Sequence, residues 1–449
     1  MNDTIAAIST TMGVGAISII RVSGNEAIKI VNKIFKGKNL EEVESHTINY
    51  GHIINNEEVI DEVLVSIMRA PKTFTKEDIV EINTHGGIAI TNKVLELLLY
   101  NGCRLAEPGE FTKRAFLNGR IDLIEAEGVM DLINAKTEKS RKLAINQVNG
   151  EVSNLIKKLR QRIIEILANI EVNIDYPEYE DIEEMTNTMI EENLMPLEID
   201  IKNILSKSED SKIIKEGIKT IIIGSPNVGK SSILNRLLNE EKAIVTDIAG
   251  TTRDIVEGVV QIDGIILNII DTAGIRETSD VVESIGVKKS LDLIDEADLI
   301  LYVLNNNEII TEEEKEILNK IKNKNHIIIV NKVDLENKLD KNLLSNYIEI
   351  SVKNDIGIDD LRNRIKEMFN LEEIEQNDYT YLSSARSISL LRKSLESLNS
   401  VKDGIKNNLP IDMVEIDLKQ MWSILGEIIG ETYSDELIDQ LFSQFCLGK

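Results

Sequence analysis

The chain has 449 residues, 42% of them hydrophobic and 4% aromatic, so roughly three domains with cores of Ile, Leu and Val are expected. Two cysteines, Cys103 and Cys446, exclude a disulfide framework or a cysteine-rich zinc site. The net charge of −26 excludes a broad basic footprint, so any RNA substrate needs a local basic patch or a basic partner.

The opening, MNDTIAAISTTMGVGA, lacks the basic stretch of a signal peptide, and no run of about eighteen apolar residues is present. A cytoplasmic location is therefore expected. Residues 1–118 carry short β-like runs, AISIIRVSG, HTINYGHII, EVLVSIMRA and DIVEINTHGG, interrupted by the helical stretches NEAIKIVNKIF and NKVLELLLYNG. That is an α+β pattern. Over 119–215 the period changes: Ile156, Leu159, Ile163, Ile166 and Ile170 mark one face of an amphipathic helix, which Pro177 ends. Over 216–375 the strands TIIIG, GVVQID, IILNIID, LILYVLN, HIIIVN and YIEIS alternate with helices. Three are near-continuous apolar runs, as a parallel sheet covered on both faces requires. Residues 376–449 return to helix, clearest in SSARSISLLRKSLESL. The expected architecture is multidomain α/β plus α, with the α/β block inserted into a helical domain.

GSPNVGKS, Gly224 to Ser231, fits the phosphate-loop pattern G-x-x-x-x-G-K-[ST] at every fixed position, between a strand and a helix. Its glycines let the backbone curl so that N–H groups cradle phosphates. Asn227, Val228, Gly229, Lys230, Ser231 and Ser232 are the expected contacts. Lys230 would reach the β- and γ-phosphates, and the Ser231 hydroxyl would bind Mg²⁺. Thr252, in TDIAGTTRD, is the candidate for the second hydroxyl on Mg²⁺ and, with Lys230, for a catalytic position. Asp271 follows the apolar strand IILNII and suits the Walker-B role of holding Mg²⁺ through water. Thr272, Ala273 and Gly274 complete DTAG, where the glycine lets its N–H approach the γ-phosphate. NKVD follows the strand HIIIV and supplies Asn331, Lys332 and Asp334. Asp334 can accept from guanine N1 and N2, which adenine cannot match, so GTP is expected. Ser351 to Lys353, SVK, stands where such proteins carry SAK.

The residue after DTAG is Ile275, whereas Ras and Gα orient the attacking water with Gln. Ile neither donates nor accepts a hydrogen bond, so the water needs another group.

Together, GSPNVGKSS, TDIAGTTRD, DTAGIRE and NKVD resemble the GTP-binding domain of the MnmE (TrmE) family of bacterial tRNA-modification GTPases. The opening DTIAAIST…GAISIIRVSG, the internal EPGEFTKRAFLNGRIDL and the closing FCLGK resemble the family's other parts, so the resemblance spans the chain. TTMGVG departs from the Pro the family often has there. The resemblance implies a potassium ion in place of an arginine finger, with Asn227, Thr246, Ile248 and Thr251 as ligands. Asp247, Ala249 and Gly250 share that nucleotide-contacting loop. A cation at this place would balance charge developing between the phosphates. Glu283, in VVESIG, matches the family's acidic residue that works through a bridging water. Arg276 is expected in a switch salt bridge instead.

The resemblance further implies a folate one-carbon donor, 5-formyl- or methylene-tetrahydrofolate, contacted by Arg21, Glu81, Arg120 and Lys449. Glu81 would grip the pterin's N–H edge, and the basic groups would hold the glutamate tail. Arg120 is Lys in some members, and Arg changes the geometry. Cys446 would lie over the folate. His85 reads either as a folate-site residue or as a structural turn histidine. The implied product is a 5-aminomethyl or 5-carboxymethylaminomethyl wobble uridine, made by a homodimer with an MnmG-like flavoprotein in a heterotetramer, on tRNA. Other readings stay open: a potassium-dependent ribosome-assembly GTPase, a slow signalling switch, or a folate-dependent methyltransferase with a vestigial nucleotide domain. Folate binding and intrinsic turnover discriminate among them.

Overall fold

Strand β2 (Ile17–Ser23) alternates inward and outward side chains, and the sheet built around it sets the first half of the molecule. The computed structural model describes residues 3–175, 187–240, 258–271, 293–371 and 379–449. The chain divides into two units, one of Met1–Ile133, Gln147–Glu198 and Ser389–Lys449, the other of Asn134–Asn146 and Ile199–Ile388.

The first unit contains a seven-stranded sheet in the order β3-β4-β5-β6-β2-β1-β7. Its strands are β1 (Ile5–Ile8), β2, β3 (Phe35–Lys36), β4 (Thr47–Asn55), β5 (Glu58–Met68), β6 (Ile79–His85) and β7 (Arg104–Leu105). Helices α1 (Ala27–Ile34) and α2 (Ile88–Tyr100) cover one face, burying Ile20, Val22, Val65, Val80 and Ile82 against Ile28, Val31, Val94 and Leu98. On the opposite face Ile17, Ile48, Tyr50 and Leu64 stay exposed. β1 was hidden in the sequence because all four of its residues are buried, leaving no alternation.

Helix α3 (Glu110–Leu117) is fixed by Arg114, whose side chain is 1% exposed and pairs with Asp3, Glu77 and Glu110. A buried guanidinium survives only with such partners. The sequence pattern had marked α6 (Glu151–Asp175) by its apolar face, and Ile156, Leu159, Ile163, Ile166 and Ile170 are all buried. Arg160 on the same helix stacks over Trp422 of α12 (Ile411–Ile429), 4.1 Å from the ring centre.

The second unit holds six strands in the order β13-β12-β11-β8-β10-β9. They are β8 (Ile218–Ile223), β9 (Gly258–Ile262), β10 (Ile265–Asp271), β11 (Leu299–Asn305), β12 (His326–Asn331) and β13 (Tyr347–Ile350). All pairings are parallel except β9 with β10. Every residue of β11 is buried, as its apolar run LILYVLN required. Helix α8 (Lys230–Glu240) follows β8, α9 (Glu312–Ile321) lies between β11 and β12, and α10 (Ile358–Met368) follows β13. Helical segments of the first unit precede and follow this α/β unit in sequence, so the expected insertion is present. Among the described residues no helix is long and apolar enough to cross a membrane.

Candidate functional site

The C-terminal ends of the parallel strands β8, β12 and β13 carry GSPNVGKS, NKVD and SVK to one edge of the α/β sheet, where crevices form in such folds. The phosphate loop leaves β8 and enters α8 at Lys230. Gly229 has φ 102°, and a Cβ there would fall 2.2 Å from Asn331 Nδ2, so no other residue fits. Asn331 Nδ2 donates to the Val228 carbonyl at 2.8 Å, and Lys332 Nζ donates to the Asn227 carbonyl at 2.6 Å. Two residues of NKVD thus brace the phosphate loop, which the linear motifs alone do not reveal. Asn331 Oδ1 is buried without a partner among the described residues. Asn227 itself is exposed, with φ 61°.

Lys230 Nζ donates to the carbonyls of Gly224 and Ser225, at 2.7 and 3.0 Å. The lysine therefore lies along the loop it would leave to reach a phosphate. Asp334 accepts from the Ser351 hydroxyl at 2.7 Å. That hydrogen bond is the main cause holding its carboxyl below the usual range, so at neutral pH it is an ionised acceptor. Ser351, the first residue of SVK, is fully buried and orients the Asp334 carboxylate. Ser231 and Ser232 follow Lys230 in the first turn of α8, where N–H groups point outward to an anion.

Thr246, Asp247, Ile248, Ala249, Gly250, Thr251, Thr252, Thr272, Ala273, Gly274 and Glu283 lie outside the described residues, as do Ile275 and Arg276. The backbone of Asp271 ends β10, directly in register with Ile222 of β8, while its side chain is outside the description. Of the expected cation ligands, Asn227 and Ser231 are the two that are described.

The second constellation lies on the sheet of the first unit. Arg21 and Glu81 face each other across β2 and β6 and form an ion pair at 2.8 Å. Glu81 is thus engaged by Arg21 itself, and the pair together presents donors and an acceptor on one edge. Arg21 also donates to the Gly448 carbonyl at 3.1 Å, which Ser9 Oγ reaches at 3.2 Å. Gly448 has φ 84°, and a Cβ would sit 2.5 Å from the Ile8 carbonyl. The FCLGK segment is therefore laid against β1, anchored by Phe442 and Phe445 among Phe116, Leu123 and Ile438.

The Lys449 amide follows, and its backbone carbonyl accepts from the Phe111 N–H at 3.2 Å. Its side chain is half-buried, and burial, with Arg21 nearby, pulls its amine below the usual lysine range. Cys446 is exposed. Cys103 is buried in the core, and burial pushes its thiol up to about 12. Arg120 stacks on Phe74 at 5.0 Å, and Arg21 lies over Phe111 at 5.7 Å. The two rings belong to one small cluster with Ile5, Ala7 and Ala106, so both guanidiniums border the same apolar floor. Sequence reasoning missed Phe74, Phe111 and Ser9, because contacts between segments far apart in the chain leave no local pattern. His85 ends β6 and pairs with Asp61, its Nδ1 at 2.7 Å from Oδ1.

Comparison with known proteins adds a further finding. A family model described as the MnmE helical domain matches residues 123–446, and one described as GTP-binding protein TrmE N-terminus matches residues 4–120. The tRNA modification GTPase MnmE of Streptococcus thermophilus (strain CNRZ 1066) is 56% identical over 449 residues, covering 100% of this chain and 98% of that protein. That of Streptococcus mutans serotype c is 55% identical over 449 residues, covering 100% and 99%. Among solved structures, the FeoB G-domain from Methanococcus jannaschii is 23% identical and covers 34% of this chain and 97% of that one, with a TM-score of 0.25.

Proposed function

Because the chain belongs to the MnmE (TrmE) family, we propose that it binds and hydrolyses GTP and acts in tRNA modification. The observation that carries the nucleotide reading is the brace of Asn331 and Lys332 on the carbonyls of Val228 and Asn227, beside an ionised Asp334. It joins the residues that would read guanine to the loop that would hold its phosphates. Asp334 accepts from guanine N1 and N2, and Lys230 leaves the Gly224 and Ser225 carbonyls for the β- and γ-phosphates. Gly229, Val228, Ser231 and Ser232 turn their N–H groups to those oxygens.

Mg²⁺ and K⁺, when bound, would supply positive charge where phosphate charge develops. Ser231, Thr252 and, through water, Asp271 would hold the first. The Asn227 side chain, Thr246, and the backbone oxygens of Ile248 and Thr251 would hold the second. Asp247, Ala249, Gly250, Thr272, Ala273 and Gly274 would complete the contacts to the nucleotide. Glu283 orients the attacking water through a bridging water, the task Ile275 cannot perform.

In the first unit, Glu81, paired with Arg21, grips the N–H edge of a tetrahydrofolate pterin, and the basic groups Arg21, Arg120 and Lys449 hold its glutamate tail. This ligand, 5-formyl- or methylene-tetrahydrofolate, carries the one-carbon unit for the wobble uridine. Phe74, beside the Arg120 guanidinium and only partly buried, gives such a planar ligand an apolar contact. The working assembly is a cytoplasmic homodimer with an MnmG-like flavoprotein, and that partner brings the redox step and much of the tRNA contact, consistent with a charge of −26.

The test is GTP turnover by the full chain in KCl and in NaCl at equal ionic strength, with Glu283→Ala alongside. Strong activation by potassium, and loss of turnover but not of GTP binding in E283A, are the expected results. Equal slow rates in both salts would overturn the potassium reading. Equal loss of binding and turnover in E283A would overturn the role given to Glu283.

A further inference from the structure

We propose that Glu314, which belongs to none of the nucleotide motifs, is a positioning residue for the phosphate loop and acts through the hydroxyl of Ser225. The inference rests on the GTP-binding reading above and adds a residue to it. Ser225 is the first variable position of GSPNVGKS, and its Oγ donates to Glu314 Oε1 at 2.7 Å. Glu314 is 8% exposed, so the bond is shielded from water on the side of the acceptor.

Glu314 cannot drift, because its own place is fixed from three sides. Its Oε2 accepts from the Thr311 N–H at 3.0 Å, and its N–H donates to Thr311 Oγ1 at 3.2 Å, which together form the capping box of α9. The hydroxyl of the buried Tyr302, on β11, donates to the Glu314 carbonyl at 3.4 Å. The carboxylate therefore ties the phosphate loop to a helix end that is itself tied to the sheet.

The consequence for the site runs through Ser225. Its carbonyl is one of the two that hold Lys230 Nζ, and its hydroxyl is what Glu314 grips. A loop that binds phosphate with backbone N–H groups works only if those groups point correctly before the ligand arrives. A charge-assisted hydrogen bond at the loop's first turn supplies that order, and it is stronger than one between neutral groups. The same bond sets where the lysine waits. Glu314 touches no reacting atom in this scheme; it acts on the loop alone.

Three single substitutions separate this role from a purely structural one. Ser225→Ala removes the link and leaves the α9 capping box intact. Glu314→Ala removes both. Glu314→Gln keeps both, because its amide oxygen can accept from Thr311 while its amide N–H donates to Ser225 Oγ. The measurement is GDP and non-hydrolysable GTP-analogue affinity of the full chain by titration calorimetry, with melting temperature recorded for every variant.

S225A should bind both nucleotides about tenfold more weakly, the size expected for one hydrogen bond to a charged group, at an unchanged melting temperature. E314Q should stay within about threefold of the parent, and S225A/E314A should bind no more weakly than E314A alone. Parental affinity in S225A would overturn the inference, and so would additive losses in the double variant. A parent that binds neither nucleotide would overturn the GTP reading itself, which keeps the two failures distinct.

Discussion

His85 shows how one side chain turns a local pairing into a solution property. Its Nδ1 lies 2.7 Å from Asp61 Oδ1, its backbone N–H donates to Asp61 Oδ2 at 2.8 Å, and the ring is largely exposed. The Asp61 hydrogen bond is the main cause that raises the imidazole above its ordinary value, with Glu62 adding to it. A raised folded value means the charged pair stabilises the fold fully below about pH 6.5, the unfolded value, and loses that contribution as pH rises through the folded one. His85→Gln should therefore melt below the parent at about pH 6 and alongside it at about pH 9, measured by thermal unfolding across pH. A constant gap would show that the ion pair contributes nothing. By the same geometry, the turn reading of this histidine gives way to a strand-end residue held by a carboxylate.

At the scale of elements, α6 is where pattern and packing coincide most fully. The three-and-four spacing of Ile156, Leu159, Ile163, Ile166 and Ile170 predicted a buried stripe, and the stripe is buried. Ile163 is wholly buried, so Ile163→Ala should destabilise the first unit by about 2–5 kcal/mol in denaturant unfolding, leaving the slope unchanged. A loss under about 0.5 kcal/mol would mean the stripe is not core. Three strands of the α/β unit were legible for a related reason: covered on both faces, they become apolar runs.

β1 and β7 were not legible. One offers four buried residues without alternation, and the other is a two-residue parallel pairing with no pattern of its own. The sites divide the same way. The phosphate loop and NKVD are contiguous in sequence and could be read there, whereas the brace between them cannot. Glu314 is one acid among 77, placed beside Ser225 by the return of the chain from β11 into α9.

For the whole molecule, the outer face of the first sheet carries Ile17 at 62%, Ile48 at 68%, Tyr50 at 61% and Leu64 at 46% exposure. These exposed apolar residues, on a chain of charge −26, are where the proposed homodimer would close. Ile48 packs on no core, so Ile48→Lys should leave the melting temperature of the monomer nearly unchanged while converting dimer to monomer in sedimentation at micromolar concentration. Persistence of the dimer would move the interface elsewhere.

One contact in this unit also has a history in time. Ser9 and Gly448, joined through a hydroxyl and a carbonyl, lie 439 positions apart in sequence. Between them the chain must emit the uninterrupted stretch Ile199–Ile388 of the other unit. At ribosomal rates of ~5–20 residues per second, that stretch alone takes about 10–40 seconds. For that interval the nascent first unit has its sheet but neither the Phe442 and Phe445 anchors nor the carbonyl that Arg21 grips. The folate-site candidate is thus the last place in the molecule to mature, and the nucleotide unit can finish before it.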